Sequence, residues 1–267
     1  MNLSAPLLAV EGLTKRFGKK DAVSNLCFNV RQAELVGFLG PNGAGKSTTL
    51  RMIAGSLAPT AGKVTITGYD ITEQPGSAKS QIGYLPEVPP LYPQMTVREY
   101  LRFACDLKNS GSKDSNVNKV DNGNPVDESW VKSLVSDLGI EKVMPVLICN
   151  LSKGYRQRVG IAAAIAGKPA LLLLDEPVSG LDPRQARDFR CMLKRICPEM
   201  AIVISSHSLA EVEALCTRII IMNEGRIAAD GDPKELAGGT NLEDLFISLT
   251  STETPTEREA RGFPSGE

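Results

Sequence analysis

A glycine-rich loop between a predicted strand and a predicted helix is the feature that most restricts how this chain can fold. Residues 35–39 are apolar and predict a buried strand, whereas residues 49–54 predict a helix. Between them, residues 40–48 read Gly-Pro-Asn-Gly-Ala-Gly-Lys-Ser-Thr, which contains the pattern G-x-x-x-x-G-K-[ST]. Such a loop directs its backbone N–H groups, and the positive end of the following helix, toward a phosphate. The sequence therefore predicts an α/β fold with a site for a nucleotide phosphate.

Every residue of this loop is a candidate ligand contact: Gly40, Pro41, Asn42, Gly43, Ala44, Gly45, Lys46, Ser47 and Thr48. Lys46 would place its ammonium group on the outer phosphates, and Ser47 would offer a hydroxyl to Mg²⁺. The alternative is a glycine-rich turn that ends in Lys-Ser and binds nothing, which the flanking strand and helix disfavour. By itself, the loop does not distinguish a kinase, a GTPase and an ATPase.

Two carboxylates and the single histidine of the chain follow two further buried strands. Asp175 and Glu176 end the apolar run from Leu171, and His207 follows the run 201–205. Ligands bind at the carboxyl edge of open α/β sheets, so we expect these residues to lie beside the loop. Asp175 suits contact with Mg²⁺, Glu176 suits activation of a water, and His207 suits a hydrogen bond to a terminal phosphate. The alternatives are a solvated strand end and a structural histidine.

Three further positions have both a functional and a structural interpretation. Phe17 lies in a predicted turn segment, 15–20, where its ring could stack on a base or fold onto the sheet. Ser152 suits the N-cap of a predicted helix, whose free N–H groups could bind an anion or simply begin an ordinary helix. Asp182, in the loop 179–183, lies where the next helix needs its own N-cap.

The bulk properties of the chain disfavour several classes of site. A net charge of −1 gives no general reason to expect binding to nucleic acid or acidic lipid. The six cysteines form no C-x-x-C pair and there is one histidine, so we expect reduced thiols and no zinc site. The longest apolar region, 159–174, is interrupted by Lys168-Pro169, and residues 1–6 lack the pattern of a signal peptide. We therefore expect a soluble chain, with any membrane-spanning part supplied by another protein.

Taken in order, these motifs closely resemble those of the ATP-binding subunit of ABC transporters, over about residues 7–249. The resemblance identifies 40–48 as Walker A, 151–158 as the signature, 171–176 as Walker B, 179–182 as the D-loop and His207 as the switch histidine. The signature, which reads Leu-Ser-Lys-Gly-Tyr-Arg-Gln-Arg, is the discriminating motif, because other phosphate-loop ATPases lack it.

The resemblance also implies a role for each site residue. It implies catalytic roles for Lys46, Glu176 and His207, and Mg²⁺ contacts for Ser47, Asp175 and Glu87, the last at the glutamine-loop position. It implies contacts to ATP for Phe17, which would stack on adenine, for the whole Walker A loop, and for Ser152, Lys153, Gly154 and Asp182. In this family, two ATPase subunits, identical or different, bind two ATP molecules head to tail, each between the Walker A of one chain and the signature of the other.

The family further implies a partner and a location. ATP binding closes the pair of subunits and hydrolysis reopens it, which moves an integral membrane permease between inward-facing and outward-facing states. The subunits would lie at the cytoplasmic face of the inner membrane, held there by the permease, and would bind no nucleic acid. The cofactors would be ATP and Mg²⁺.

Three features depart from the usual family pattern. Glu87 replaces a glutamine, the signature reads Leu-Ser-Lys-Gly-Tyr instead of the commoner Leu-Ser-Gly-Gly-Gln, and Phe17 replaces a tyrosine. None of these changes removes a catalytic group, so we expect an active ATPase. Pro86-Glu87 together with the signature resembles bacterial export-type ATPases, including those associated with gliding motility, sodium efflux and copper-enzyme maturation. The sequence does not specify the cargo.

The implied fold is a P-loop NTPase with a mainly parallel core sheet, an N-terminal antiparallel β subdomain and an inserted α-helical subdomain. We expect one ATPase domain over residues 1–250, with the helical subdomain at about 88–168. Residues 109–129 are polar and lack periodicity, which predicts a flexible insertion, and 251–267 predict a disordered tail.

Two other functions are compatible with parts of the pattern. A non-transport ABC protein could act on ribosomes or DNA, but such relatives usually carry tandem ATPase domains, a long coiled-coil insertion or a basic surface. A regulatory ATP sensor with negligible hydrolysis is suggested by the unusual Glu87 and Lys153. Steady-state ATP hydrolysis that is lost on Lys46→Ala would exclude the sensor.

Overall fold

The computed structural model describes residues 5–110, 128–238 and 241–250. The strands are β1 Leu8–Phe17, β2 Lys20–Val30, β3 Leu35–Leu39, β4 Ala61–Ile66, β5 Tyr69–Asp70, β6 Ile82–Leu85, β7 Leu171–Asp175, β8 Ala201–Ser206, β9 Arg218–Asn223 and β10 Arg226–Gly231. The α-helices are α1 Lys46–Ile53, α2 Pro75–Ser80, α3 Val97–Ser110, α4 Glu128–Asp137, α5 Lys153–Ile165, α6 Pro183–Ile196, α7 Leu209–Leu215, α8 Pro233–Ala237 and α9 Leu242–Thr250.

The core sheet has the strand order β10-β9-β3-β8-β7-β6, and all its strand pairs are parallel except β10 with β9. Strands β3, β7 and β8 are buried along their whole length, which explains their continuous apolar sequences. Because β3, β7 and β8 are adjacent and parallel, the residues that follow each of them meet at the same edge of the sheet.

A second sheet, with the order β2-β1-β4-β5, is antiparallel throughout and packs over one face of the core sheet. Side chains alternate along β3, so that Val36 and Phe38 join the cluster beneath this second sheet. Phe28 of β2 contacts Phe38 edge to face, with ring centroids 5.3 Å apart. Helix α1 belongs to the same cluster, so the helix that follows the glycine-rich loop is held between the two sheets.

The opposite face of the core sheet is covered by helices α3 to α7, which share the other hydrophobic cluster with Leu35 and Leu39. Helices α3, α4 and α5 lie between β6 and β7 in the sequence, where the inserted helical subdomain was expected. Thr96 and Glu99 form a capping box at the start of α3: the Thr96 N–H donates to Glu99 Oε2 at 2.8 Å, and the Glu99 N–H donates to Thr96 Oγ1 at 3.3 Å.

The predicted fold class is confirmed, and a few local predictions are corrected. Strand β1 continues to Phe17, so Lys15 and Arg16 belong to the strand, because pairing with β2 extends the ladder beyond the apolar residues. Helices α2 and α7 were not anticipated from the sequence. The predicted tail at 251–267, and all of the predicted insertion except its ends in α3 and α4, lie outside the described residues. No helix in the described part of the chain is long and apolar enough to cross a membrane.

Candidate functional site: the nucleotide cleft

The glycine-rich loop leaves the end of β3 and turns sharply into α1. Gly45, which precedes the helix, has φ of 102°, a conformation that glycine adopts without strain. A Cβ atom at Gly45 would lie 2.7 Å from the Ala22 carbonyl oxygen, and one at Gly40 would lie 2.3 Å from that of Met222. The loop is therefore packed closely between two neighbouring segments of backbone, and glycine is required at both positions. Helix α1 begins at Lys46, near the end of this loop.

A cavity of about 710 Å³ opens above the loop. It is lined by Phe17, Lys20, Asp21, Ala22, Asn42, Gly43, Ala44, Gly45, Lys46, Ser47, Thr48, Glu87, Glu176, Ser179, His207, Glu224 and Gly225. The volume falls in the range of about 300–1,000 Å³ that is usual for small-molecule and cofactor sites. The cavity thus combines the loop with residues from the β1–β2 hairpin, from the ends of β6, β7 and β8, and from the β9–β10 turn.

Lys46 is a buried cation that faces the loop. Its Nζ donates to the carbonyl oxygens of Gly40 at 2.6 Å and Pro41 at 3.2 Å, and it lies 3.8 Å from Glu176 Oε1. Burial lowers the pKa of Lys46, and the nearby carboxylates of Glu176 and Asp175 partly oppose that effect. An anionic ligand would replace the carbonyl contacts with a charged partner and would favour the protonated amine.

Asp175 is almost fully buried at the end of β7 and accepts two hydroxyl hydrogen bonds on the same oxygen. Ser47 Oγ donates to its Oδ1 at 2.9 Å, and Ser205 Oγ donates to Oδ1 at 2.6 Å. The predicted proximity of Asp175 to the loop is therefore present, across a sequence separation of 128 residues. A hydroxyl and a carboxylate in contact are oxygen ligands of the kind that Mg²⁺ prefers.

Glu176 and His207 form a hydrogen-bonded pair at the wall of the cavity. His207 Nδ1 lies 2.8 Å from Glu176 Oε2, and the exposed fractions of the two side chains are 58% and 12%, respectively. Glu176 has a backbone φ of 46°, which is uncommon for a residue with a side chain. The carboxylate therefore points into the cavity from a strained turn, between the ammonium group of Lys46 and the imidazole of His207.

Phe17 and Glu87 lie at the rim of the cavity, and in the sequence Phe17 precedes the glycine-rich loop whereas Glu87 follows it. The Phe17 ring is 51% exposed, so it is not folded into the sheet, and Lys15 Nζ lies 5.2 Å from its centroid. Glu87 follows β6 and lines the cavity with an exposed side chain. Both positions are open to a ligand that enters from solvent.

The signature residues lie apart from this cavity in the described chain. Ser152 is the N-cap of α5 and accepts from the Tyr155 N–H at 3.4 Å, so the predicted cap is confirmed. Lys153 and Gly154 begin the same helix, and none of the three lines the cavity. Asp182 likewise caps α6 by accepting from the Gln185 N–H at 2.9 Å and does not line the cavity.

The sequence of this chain matches the protein family described as ABC transporter over residues 23–179, which is more than half of the chain. This chain belongs to the ABC transporter family. It is an ATP-binding subunit, and the fold and family together make it an ATPase.

Similar proteins extend this match beyond the family region. The chain is 35% identical to the uncharacterized ABC transporter ATP-binding protein YxlF of Bacillus subtilis (strain 168), over 86% of this chain and 72% of that protein. It is 36% identical to the Nod factor export ATP-binding protein I of Rhizobium etli, over 84% of this chain and 67% of that protein. A solved ATP-binding subunit of an ABC transporter superposes with a TM-score of 0.79 at 29% identity, covering 92% of this chain and all of that one.

The residues of the ABC ATPase fit both ATP and Mg²⁺. The backbone of the loop leaves no room for a Cβ at Gly40 or Gly45, Lys46 supplies a cation, and the hydroxyl of Ser47 contacts the carboxylate of Asp175. Mg²⁺ usually binds through one or two protein oxygen ligands together with phosphate oxygens and water, and this pair of residues matches that requirement.

Several residues of the site were not anticipated from the sequence. The cavity wall includes Lys20, Asp21 and Ala22 of the β1–β2 hairpin and the Glu224-Gly225 turn, which carry no recognisable motif. Ser205 was also not anticipated, although a serine at the end of an apolar strand is a signal that the sequence contains. A hydroxyl within a fully buried strand must find hydrogen-bond partners, and at the carboxyl edge of the sheet those partners are the site residues.

Proposed function

We propose that this ABC ATPase drives a separate membrane permease, for export, through ATP-dependent head-to-tail dimerisation at the cytoplasmic face of the inner membrane. The observation that carries this proposal is the separation of Ser152, Lys153 and Gly154 from the nucleotide cavity. A helix start with an exposed cation nearby suits a phosphate, but not the phosphate bound by the Walker A loop of the same chain. A second subunit would bring its signature to that phosphate, so that each site needs both chains.

The proposed chemistry assigns one role to each polar group of the cavity. Lys46 binds the outer phosphates. A water attacks the terminal phosphorus while Glu176 accepts a proton from that water, and the bond between the terminal phosphorus and the bridging oxygen breaks. His207 holds Glu176 through the 2.8 Å contact and can bind the terminal phosphate. Ser47, Asp175 and Glu87 would hold Mg²⁺, which when bound neutralises charge on the phosphates.

Phe17 is proposed to recognise the base. Stacking of a base on an aromatic ring contributes about 1–3 kcal/mol, which corresponds to roughly a 5- to 150-fold change in affinity. Phe17→Ala should weaken the binding of ATP by that factor, whereas Phe17→Tyr should leave it unchanged. Equal affinities of the alanine variant and the unmodified protein for ATP, measured by titration calorimetry, would contradict the assignment.

Dimerisation is tested by trapping the ATP-bound state. Glu176→Gln removes the proposed base, so the protein should hydrolyse ATP at least about 100-fold more slowly and elute as a dimer from size-exclusion chromatography with ATP and Mg²⁺. In that background, Lys153→Glu places a negative charge at the exposed signature and should return the protein to a monomer. Its affinity for ATP as a monomer should not change, because Lys153 does not line the cavity. A Glu176→Gln protein that stays monomeric with ATP would exclude the proposed mechanism.

An exposed apolar groove on the helical side supports the proposed permease partner. A cavity of about 510 Å³ lies between β6 and helices α2, α3 and α5, with Tyr84, Tyr100 and Leu107 among its lining residues. Nearby, Val88 is 79% exposed, and Tyr92 presents a half-exposed ring that packs edge to face on Phe103 at 5.5 Å. A short amphipathic helix from a permease loop would cover such a surface.

The groove can be tested with the permease that is isolated together with the protein. Leu107→Asp, at an exposed lining residue of the groove, should abolish co-purification of the permease subunits from mild detergent, while the ATPase activity of the isolated protein stays unchanged. The matched control is Ile247→Asp on α9, which changes a similarly exposed apolar side chain elsewhere. If both variants retain the permease, the groove is not the contact surface. The export assignment is supported by the relative named for Nod factor export. In vesicles that contain both proteins, ATP-driven movement of cargo toward the side of the membrane that carries the ATPase subunit would overturn it.

A further inference from the structure

Ser205 occupies a position beneath the nucleotide cavity that no part of the proposed mechanism uses. It is the penultimate residue of β8, has no exposed surface, and follows four buried apolar residues, 201–204. Burial of a hydroxyl in such a place is unfavourable unless the hydroxyl has a hydrogen-bond partner. The partners that it has are the two acidic residues of Walker B.

The hydroxyl of Ser205 connects the side chain of one Walker B acid to the backbone of the next. Ser205 Oγ donates its proton to Asp175 Oδ1 at 2.6 Å and accepts the Glu176 N–H at 2.9 Å. With one proton to donate and lone pairs to accept, a serine hydroxyl meets both requirements at once. Asp175 and Glu176 are thereby linked through a residue that lies 30 positions further along the chain.

Each of these two hydrogen bonds constrains a functional group. The bond to Oδ1, with the 2.9 Å bond that Ser47 donates to the same oxygen, fixes the plane of the Asp175 carboxylate. The bond from the Glu176 N–H is made by the residue whose φ is 46°, in the left-handed region. A backbone strained in this way persists only where its surroundings over-determine it, and Ser205 supplies a buried acceptor for that peptide group.

We propose that Ser205 is a positioning residue that holds the Asp175 carboxylate for Mg²⁺ and the Glu176 backbone for proton transfer. Ser205 acts through these two residues and is not among the residues that line the cavity. The inference rests on the roles proposed above for Asp175 and Glu176. It goes beyond them by identifying why these two acids keep different orientations although they are adjacent in sequence.

The test is the variant Ser205→Ala, which removes the hydroxyl with almost no change in volume. We expect kcat for ATP hydrolysis to fall by roughly 10- to 100-fold, since small misplacements of catalytic groups have effects of that size. The affinity for a fluorescent ATP analogue in EDTA should stay within about twofold, because the two hydrogen bonds of Ser205 go to Asp175 and Glu176 and not to the loop. The gain in affinity on adding Mg²⁺ should shrink by about fivefold, as expected for the loss of one hydrogen bond at the carboxylate.

Two further variants separate positioning from a general loss of structure. Ser205→Thr keeps the hydroxyl and should restore kcat to within about threefold of the unmodified protein, although its extra methyl group lowers the melting temperature. Thr217→Val is a control for the loss of a hydroxyl away from the cavity, because this hydroxyl donates to the Leu35 carbonyl at 3.2 Å, at the opposite end of the core strands. Its kcat and its Mg²⁺ dependence should not change.

The outcomes distinguish this inference from the proposed function on which it rests. Ser205→Ala with unchanged kcat and an unchanged Mg²⁺ effect would overturn the role of Ser205 alone. A Ser205→Thr protein that is folded at the assay temperature and as slow as Ser205→Ala would do the same. In the Glu176→Gln background, Ser205→Ala should reduce turnover little further, because both changes act on one step. Normal turnover by Glu176→Gln itself would instead refute the proposed catalytic role of Glu176.

Discussion

Replacing Arg218 should destabilise the protein without affecting its nucleotide site. Arg218 begins β9, and its guanidinium donates to both carboxylate oxygens of Asp230, at 2.6 and 2.7 Å. It also donates to the Asn29 carbonyl at 2.9 Å and to Glu34 Oε1 at 3.2 Å, which joins the antiparallel sheet to the core sheet. These hydrogen bonds raise the pKa of Arg218 above its ordinary value, with the bonds to Asp230 as the largest cause. The group is therefore a charge-assisted network and not a single exposed pair.

The expected magnitude follows from the burial of the three charged side chains. Arg218, Asp230 and Glu34 are 22%, 27% and 16% exposed. Hydrogen bonds to charged groups contribute about 1.5–3 kcal/mol each when buried, and partial exposure reduces this, so we expect Arg218→Met to cost about 2–4 kcal/mol in total. Arg218→Lys keeps the charge but cannot bind both oxygens of Asp230 in the plane of one group, so it should cost about half as much.

The measurement is urea denaturation followed by far-UV circular dichroism, with Arg16→Met as the matched control. Arg16 also binds both oxygens of its partner, Asp21, at 2.6 and 3.2 Å, but the two side chains are 57% and 38% exposed. Exposed pairs contribute little, so the control should leave the denaturation midpoint nearly unchanged. Equal midpoints for Arg218→Met and Arg16→Met would refute the reasoning. Affinity for ATP at low urea should be the same for Arg218→Met and the unmodified protein.

Three further predictions concern the loop, a helix cap and the core. Lys46→Ala should weaken the binding of a fluorescent ATP analogue by roughly 10- to 100-fold, because it removes a charged hydrogen-bond donor to the phosphates. The capping-box bonds from Thr96 lower the pKa of Glu99 below its usual 4.5. The stability that these bonds add to the folded protein should therefore be fully present above pH 4.5 and lost as the pH falls through the lower folded-state pKa. Thermal unfolding of the unmodified protein and of Glu99→Gln as a function of pH measures this loss. Gly37→Ala would place a Cβ 2.3 Å from Val212 Cγ1 and should lower the free energy of unfolding by about 1–3 kcal/mol.

Each of these predictions has a result that contradicts it. An unchanged affinity of the Lys46→Ala protein would show that the ammonium group does not bind the phosphates. A stability difference between Glu99→Gln and the unmodified protein that does not narrow as the pH is lowered would remove the carboxylate from the cap. Val212→Ala should recover part of the stability lost in Gly37→Ala, and a purely additive loss would show that the two side chains do not compete for the same space.

Much of the site could be predicted because its signals are local. The spacing of glycines before Lys46-Ser47 requires a tight turn into a helix. Three helices are each preceded by the residues that cap them, which are Ser152, Asp182 and the Thr96–Glu99 pair. These features depend on neighbouring residues only, so one sequence is sufficient to read them. The apolar runs of β3, β7 and β8 likewise indicate strands that are buried on both faces.

The sequence by itself therefore determined the fold class, the loop and the order of the motifs. The tertiary structure alone decided which residues meet: that Ser47 and Ser205 share one oxygen of Asp175, that Phe17 stays exposed at the rim, and that the signature lies outside the cavity. The physical reason is the strand order, because β7 and β8 place residues 175 and 205 side by side although 30 positions separate them. Such contacts depend on the register of the sheet and on packing between layers, and neither is encoded in the spacing of any single motif.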